Sequence, residues 1–346
     1  MLNLGSYMWA QGVTATPASI SHAFSSNSTA PFSATVTLTG TGSITVSTAT
    51  QTGGNWLVLT QSSGSAPTDL GIVLDPSGLP DGTYLATVTI TQGAISKAVP
   101  VKAMIGNPGP QLAPAGVVNA ASYQGEAVSP GEIVTLFGSA IGPKIPYSAR
   151  VQDGALVSKL AATRVWFDDI SAPLIYAHPD QVAAIVPFEI AGKSSVQVQV
   201  ENLVARTPPF RLDVKDATPA FFTADASGRG QLAALNQDGS TNSPLSPAAK
   251  GSIVVLYATG AGTMNPTASN GIVITTTPLP APVLPVQLTI GGQKAEILYS
   301  GAAPQLVAGV LQINARVPTT VASGASPVVL TIGTFSSPTD CTISLQ

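Results

Sequence analysis

Short runs in which polar and apolar residues alternate fill the chain from residue 12 onward, and turn residues interrupt them about every ten positions. Ala34, Val36 and Leu38 alternate with threonines, and Ile44 and Val46 repeat the pattern. Because successive side chains of a strand point to opposite faces, this period of two indicates strands with one buried face. Charged residues make up only 9% of the chain, against 33 Gly and 29 Pro, which disfavours helices. The sequence therefore predicts an all-β fold.

The first part of the chain divides into three segments. Residues 12–106 hold about seven alternating runs, the number typical of an immunoglobulin-like sandwich. Residues 1–11 form an apolar peptide ending in Ala10 and Gln11, which we interpret as the remnant of a signal peptide, a flexible start, or a strand donated to another sheet. Residues 107–116 are rich in Pro and Gly and lack alternation, which predicts a linker between domains.

An internal repeat occupies the rest of the chain. Gly131–Phe137 returns as Gly251–Tyr257, at an offset of 120 residues. The offset is 123 further on and becomes 131 where Gln181–Pro187 returns as Gln312–Pro318. This drift predicts an insertion of eight residues around positions 301–309.

The repeat predicts two copies of one β domain, at residues 117–218 and 219–346. Two copies are too few for a solenoid, so each copy is expected to close its own core. The predicted architecture is three tandem immunoglobulin-like β-sandwich domains, of which the last two are the internal repeat.

Several motifs of the repeat region occur in a fixed order. They are Val117–Tyr123, Pro130–Gly138, Ala172–Tyr176, Asp180–Pro187, Leu235–Gly239, Leu256–Gly260 and Leu311–Pro318. Together they resemble the Solibacter-type C-terminal domain of a large paralogous family of secreted acidobacterial proteins, over about residues 115–346. The resemblance implies export and a C-terminal place in modular extracellular proteins, but no activity.

The first domain is similar to BACON-type immunoglobulin-like modules. The similarity lies in Trp56-Leu57, Gly64–Pro67 and Leu79–Tyr84, followed by an alternating strand. It implies that Trp56 and Tyr84 lie in the core. It also implies a role in binding glycans or mucin, or as a spacer.

Composition excludes several classes of function. A net charge of −3, with only 14 basic residues, cannot build the cationic face that nucleic acid requires. No apolar run approaches the roughly 18 residues of a membrane span. Cys341 is the only cysteine, which excludes an intrachain disulfide and a thiolate metal site, and its alternation with Ile343 and Leu345 places it in the core. We therefore expect no metal and no cofactor.

The sequence offers no catalytic residue. It contains neither a G-x-S-x-G nor an HExxH motif, and its two histidines, His22 and His178, lie in different predicted domains. Asp168-Asp169 is the adjacent carboxylate pair, but Gly291-Gly292 occupies the matching position of the second copy, which predicts a hairpin tip. Oxygen-bearing side chains alternate in Asn236–Asn242 as in calcium loops, although a turn at Asp238-Gly239 explains them more simply.

Trp166 is the leading candidate for a ligand contact. In Val165-Trp166-Phe167 the alternation places the indole on the opposite face from its two neighbours, so a buried Val165 and Phe167 would leave Trp166 outside. An outward Trp indicates a ligand site, or else an interface covered by the neighbouring domain. Tyr147, in the loop after two prolines, is a second candidate.

Three functions follow from these features. The first is a non-catalytic, secreted or cell-surface module for adhesion, glycan binding or spacing, with polysaccharide or other surface proteins as partners. The second is a structural subunit of an extracellular filament or surface layer that self-associates through strand edges, since the chain has few lysines to protect them. The third is a carbohydrate-active hydrolase using Asp or Glu pairs that the sequence does not identify.

Overall fold

The computed structural model describes residues 13–106 and 109–346, and the chain divides into two compact units, Met1–Gly109 and Pro110–Gln346. Within the described residues the one helical segment is the 3-10 turn Phe188–Ile190. All other regular structure is β-strand. The predicted all-β, immunoglobulin-like sandwich class is confirmed, whereas the predictions for peptide 1–11 lie outside the described residues. Within residues 13–106 and 109–346, no helix is long and apolar enough to cross a membrane.

The described part of the first unit is built from seven strands joined in the order β2-β7-β6-β3-β5-β4, with β1 on β3. Its strands are β1 (Thr14–Thr16), β2 (Ile20–Phe24), β3 (Phe32–Thr50), β4 (Leu57–Leu59), β5 (Ser63–Leu74), β6 (Gly82–Gln92) and β7 (Ile95–Ile105). The long strand β3 pairs with β5 along its first part and with β6 along its last part. Trp56 and Tyr84 are buried in the core of this unit, as the similarity to BACON-type modules implied.

The first repeat of the second unit is a sandwich of two main sheets, in the orders β11-β16-β17-β10-β8 and β15-β14-β18-β20-β9. Its strands are β8 (Gln111–Asn119), β9 (Ala127–Val128), β10 (Ile133–Ser139), β11 (Tyr147–Ser148), β12 (Val151–Gln152), β13 (Ala155–Leu156), β14 (Thr163–Phe167), β15 (Ile170–Ser171), β16 (Leu174–Ala177), β17 (Gln181–Ile185), β18 (Ser195–Asn202), β19 (Ala205–Arg206) and β20 (Phe210–Val214).

Strand β8 corrects the linker prediction. A linker was expected over residues 107–116, yet β8 begins at Gln111 and pairs with β10, which places residues 111–116 in the second unit. The segment can pair because β8 is an edge strand and because Pro114, which has no N–H to donate, lies in the stretch of β8 that has no partner in the register with β10. A register irregularity between Leu136 and Gly138 accommodates the segment.

The second repeat has the same arrangement, with main sheets in the orders β29-β30-β24-β21 and β28-β27-β31-β33-β22. Its strands are β21 (Ala220–Phe221), β22 (Gly230–Gln231), β23 (Ala234–Leu235), β24 (Ile253–Thr259), β25 (Met264–Asn265), β26 (Ala281–Pro282), β27 (Val286–Ile290), β28 (Gln293–Lys294), β29 (Glu296–Ala302), β30 (Leu311–Arg316), β31 (Gly324–Ile332), β32 (Phe335–Ser336) and β33 (Cys341–Leu345). Strands β10 and β24, β14 and β27, and β20 and β33 correspond at the three offsets found in the sequence, which confirms the internal repeat.

The predicted insertion lies at the contact between the two repeats. Residues 303–310 connect β29 to β30, where residues 178–180 connect the corresponding β16 to β17. Val307 and Val310 of the longer loop pack against a small buried cluster that includes Ile133 and Ile185 of the first repeat. Each repeat has a core of its own, and the two repeats together form one compact unit.

Candidate functional site

Strand β14 presents Trp166 on the outside of its sheet. Val165 and Phe167 are fully buried in the core of the first repeat, and Trp166 between them is half-buried. The side of the strand that was predicted for the indole is confirmed, because the local alternation alone decides it.

The indole is held by groups from its own sheet and an adjoining hairpin. Its Nε1–H donates to Glu201 Oε2 at 3.2 Å. The Arg206 guanidinium carbon lies 4.5 Å from the ring centroid and that of Arg164 lies 5.8 Å away, both within the range of cation–π attraction. Arg206 Nε also donates to Glu201 Oε2, at 3.0 Å. One carboxylate therefore binds the indole and an arginine together.

Glu201 and the two arginines were not singled out in the sequence. Arg164 lies two positions before Trp166 and so shares its face of β14. Glu201 and Arg206 face each other across the hairpin of β18 and β19. In the sequence, the available signal for this site was the opposite charges of Glu201 and Arg206, which lie five residues apart around a turn. Their proximity to Trp166, however, depends on the pairing of β14 with β18.

We call the outer surface of β14, β18 and β20, with the adjoining β19, the Trp166 face. Gln199 lies opposite Trp166 in the register, and Gln197 lies opposite Arg211. Arg211 forms an ion pair with Asp213, at 3.2 Å. The polar side chains of this face alternate with residues of the core, such as Val198 and Leu212. The result is a hydrophilic sheet surface around one aromatic ring.

Asp168-Asp169 forms the predicted hairpin tip between β14 and β15. Asp168 has a φ of 51°, close to the 57° of Gly291 at the matching tip. Its carboxylate accepts hydrogen bonds from Lys193 Nζ at 2.6 Å and from the Gln197 amide at 2.8 Å. These hydrogen bonds lower the pKa of Asp168, and the one from Lys193 has the largest effect. The carboxylate acts as a structural acceptor that ties the tip to the neighbouring strand.

Tyr147 does not join Trp166. It lies on the short edge strand β11 of the opposite sheet, where it pairs with Ala177, and its side chain is 47% exposed. Ile145 and Val151 beside it are also exposed. The two candidate aromatic residues therefore belong to different surfaces of the first repeat.

A second notable site is Glu132, where the two repeats meet. Its side chain is fully buried, and Oε2 accepts hydrogen bonds from the Ser129 amide at 2.8 Å and from Thr218 Oγ1 at 2.6 Å. Oε1 has no hydrogen-bond partner among the described residues. Burial raises the pKa of Glu132 to about 7. The hydrogen bonds to the carboxylate, of which the one from Thr218 has the largest effect, lower the pKa by less than burial raises it. The overlooked signal was a charged residue directly before the largely apolar run Ile133–Phe137, at a position where the second copy has the uncharged Ser252.

Further hydrogen bonds cross this junction. Thr218, in the connection between the repeats, accepts a hydrogen bond on its carbonyl from Asn119 Nδ2, at 3.1 Å. The Ile133 amide donates to Thr259 Oγ1 of the second repeat at 2.8 Å, and Thr259 in turn donates to the Gly309 carbonyl at 2.8 Å. A polar cleft of about 300 Å³ lies alongside, lined among others by Glu126, Lys215 and Phe335.

The other residues named in the sequence analysis pack or form hydrogen bonds within the fold. Cys341 is buried in the core of the second repeat, as predicted, and burial raises its pKa to about 11. His22 stacks on Phe32 with the ring centroids 3.7 Å apart. The loop 236–242 is a turn in which the Asn236 carbonyl accepts a hydrogen bond from the Gly239 amide. Among the described residues, no group of three or more His, Cys, Asp or Glu side chains could hold a metal ion.

Comparison with known proteins gives likenesses of fold. No family model matches the chain, and no curated protein matches it. Among solved structures, the chain is similar to SGBP-B of a Bacteroides ovatus mixed-linkage glucan utilization locus, in complex with a mixed-linkage heptasaccharide, at 12% identity and a TM-score of 0.37, over 97% of this chain and 71% of that one. It is also similar to the I-band fragment I67–I69 of titin, at 12% identity and a TM-score of 0.19, over 95% of both chains.

A third likeness is to a Bacteroides ovatus GH5 xyloglucanase in complex with a XXXG heptasaccharide, at 16% identity and a TM-score of 0.23. It covers 35% of this chain and only 22% of the xyloglucanase. These likenesses concern the all-β fold alone.

Proposed function

We propose that this protein is a non-catalytic β-sandwich module that binds polysaccharide at a surface through its Trp166 face. The observation that carries the proposal is the half-buried indole of Trp166 on a hydrophilic sheet face, with the guanidinium of Arg206 lying over it. The part of the indole that stays exposed offers an apolar surface to the C–H groups of a sugar ring. The surrounding Gln, Arg and Asp side chains supply donors and acceptors for sugar hydroxyls.

The resemblance to a secreted acidobacterial family supports an extracellular location for such a module. We therefore propose that the chain works outside the cell, either secreted or attached to the surface, where it adheres to polysaccharide or to other surface proteins. The BACON-like first domain would then act as a second binding unit or as a spacer. Its buried Trp56 and Tyr84 are core residues, so they favour the spacer role.

The test is retention of the full chain in native gels that contain single polysaccharides, including cellulose, xylan, mixed-linkage glucan, pectin and alginate. We expect Trp166→Ala to weaken the binding of a retained polysaccharide about 10-fold, because the ring is the one aromatic surface of the face. Tyr147→Ala is the matched control and should stay within about 2-fold, since Tyr147 lies on the opposite sheet. Equal losses in both variants, or no retention of the wild type by any polysaccharide, would refute the proposal.

Most edge strands of the second unit are short, which favours such a module over a filament subunit. Strands β9, β11, β15, β21, β22 and β28 have two residues each, whereas the edge strands β8 and β29 have nine and seven. Short edges offer few unpaired backbone groups to a second chain. We therefore expect light scattering over a concentration series to give the mass of one chain throughout. Masses that grow with concentration would instead support the filament alternative.

A further inference from the structure

The charges of the Trp166 face are unevenly distributed. The chain has a net charge of −3 and six arginines, yet three of these, Arg164, Arg206 and Arg211, lie on this one face. Arg164 and Arg206 share a single acidic partner, Glu201, so the cluster around the indole keeps an excess of one positive charge. The sign of this cluster is opposite to that of the whole molecule.

The guanidinium groups of the cluster also keep free donors. Arg206 uses Nε for Glu201, and its two terminal nitrogens have no hydrogen-bond partner within residues 13–106 and 109–346. The Arg164 guanidinium approaches Glu201 only to 3.9 Å, and the Arg164 side chain donates no hydrogen bond to the described residues. A guanidinium carries five donors in a planar fork that fits a carboxylate in two parallel hydrogen bonds.

Trp166 holds these donors in place before any ligand arrives. Arg206 is fixed from one side by the ring, at 4.5 Å, and from another by Glu201, at 3.0 Å. A side chain that is already ordered loses less conformational entropy when it binds. Two other cations form an ion pair with one carboxylate each: Arg211 with Asp213 on the face, and Lys193 with Asp168 beside it. Unused donors and unbalanced charge therefore coincide at the indole.

We propose that the Trp166 face selects acidic polysaccharides, with Arg206 and Arg164 binding the carboxylate of a uronic acid residue whose sugar ring lies against Trp166. This inference rests on the proposed function and names its ligand class. The carboxylate would supply acceptors for the guanidinium donors that Glu201 satisfies only in part. Binding would be partly electrostatic and should weaken as salt screens the charges.

The experiment uses the full chain with polygalacturonate, alginate and hyaluronate, each beside its carboxyl-reduced, neutral form. We expect at least one acid to bind about 10-fold more tightly than its neutral form, because a carboxylate on a guanidinium fork forms two charge-assisted hydrogen bonds. Arg206→Gln should remove most of this preference, and Arg206→Lys should restore only part of it. Arg229→Gln is the matched control outside the Trp166 face and should change binding less than about 2-fold, since Arg229 lies in the second repeat, where Asp340 pairs with it.

The outcomes separate the two proposals. Equal binding of acid and neutral forms, or retention of only neutral polysaccharides, would overturn the acidic ligand class while leaving a polysaccharide-binding module. Acid binding that Arg206→Gln leaves unchanged would overturn the role of this face. Failure of every acidic and neutral polysaccharide to bind would overturn the proposed function itself.

Discussion

The free energy of unfolding of the second unit is expected to fall by about 3 kcal/mol between pH 4.5 and pH 8 because of one residue, Glu132. Its pKa lies at about 7 in the folded chain, raised from 4.5 by burial. Between these two values the folded chain binds more protons than the unfolded chain, so stability is lost as the pH rises. Below pH 4.5 both states are protonated, and well above pH 7 both are ionised, so the contribution is constant at either end.

Glu132→Gln is expected to abolish this slope. The amide can keep an oxygen in place for the Ser129 amide and Thr218 hydroxyl, and it cannot ionise. Urea unfolding at pH 4.5 and pH 8 measures the change in the free energy of unfolding. Hydrogen exchange in residues 127–139 measures the change close to Glu132. Glu126→Gln is the matched control, because its side chain is exposed beside the same cleft. Parallel pH curves for wild type and Glu132→Gln would show that Glu132 does not titrate as stated.

The location of Glu132 gives this pH dependence a structural meaning. Ionisation would leave a buried charge whose Oε1 has no partner among the described residues, next to the hydrogen bond that joins Glu132 to Thr218. An unpaired buried charge is costly because the interior screens it poorly. We expect local hydrogen exchange at the junction to increase above pH 7 before the cores of the repeats are affected.

Gly262→Ala is expected to destabilise the second unit by about 3 kcal/mol or more. Gly262 has a φ of 78°, and a Cβ at this position would overlap the carbonyl oxygen of Asp216 in the connection between the repeats. Gly142, its counterpart in the first repeat, meets the His178 carbonyl in the same way. The close backbone approach explains why both copies have glycine here. The change in the urea midpoint of the Gly262→Ala variant measures the loss in the free energy of unfolding.

Gly239→Ala separates the two contributions to this loss. Gly239 also has a positive φ, 84°, but a Cβ there would meet nothing within 4 Å. Its substitution should cost only the backbone term of about 1 kcal/mol. If both alanine variants lost the same stability, the backbone around Gly262 and Asp216 would be able to move apart for a Cβ at no cost in free energy, which would contradict the prediction.

Much of the fold could be predicted because its signals are local. Alternation in Val165-Trp166-Phe167 sets which side of the strand each residue takes, whichever strand lies beside it. The burial of Cys341 follows from the same rule, and the turn at Asp168-Asp169 follows from the glycine pair Gly291-Gly292 at the matching position of the second copy. The prediction of a linker failed at Gln111–Gly116 because an edge strand can form by backbone pairing without an alternating pattern.

The candidate site could be predicted only in part. Trp166 was found from its strand, but its partner Arg206 follows 40 positions later and reaches the ring through the pairing of β14, β18 and β19. The charge and hydrogen-bonding capacity of the face depend on that pairing, and therefore so does the class of ligand that it could select.

Periodicity and self-similarity along the chain are enough to predict the all-β class, the internal repeat, the place of the insertion and the outward side of Trp166. The junction shared by the repeats and the burial of Glu132 against Thr218, 86 residues away, emerge only in the folded chain. A strand pattern specifies which face is apolar but not which distant element will cover it. Desolvation of Glu132 and the clustering of arginines around Trp166 arise only once those distant elements come together.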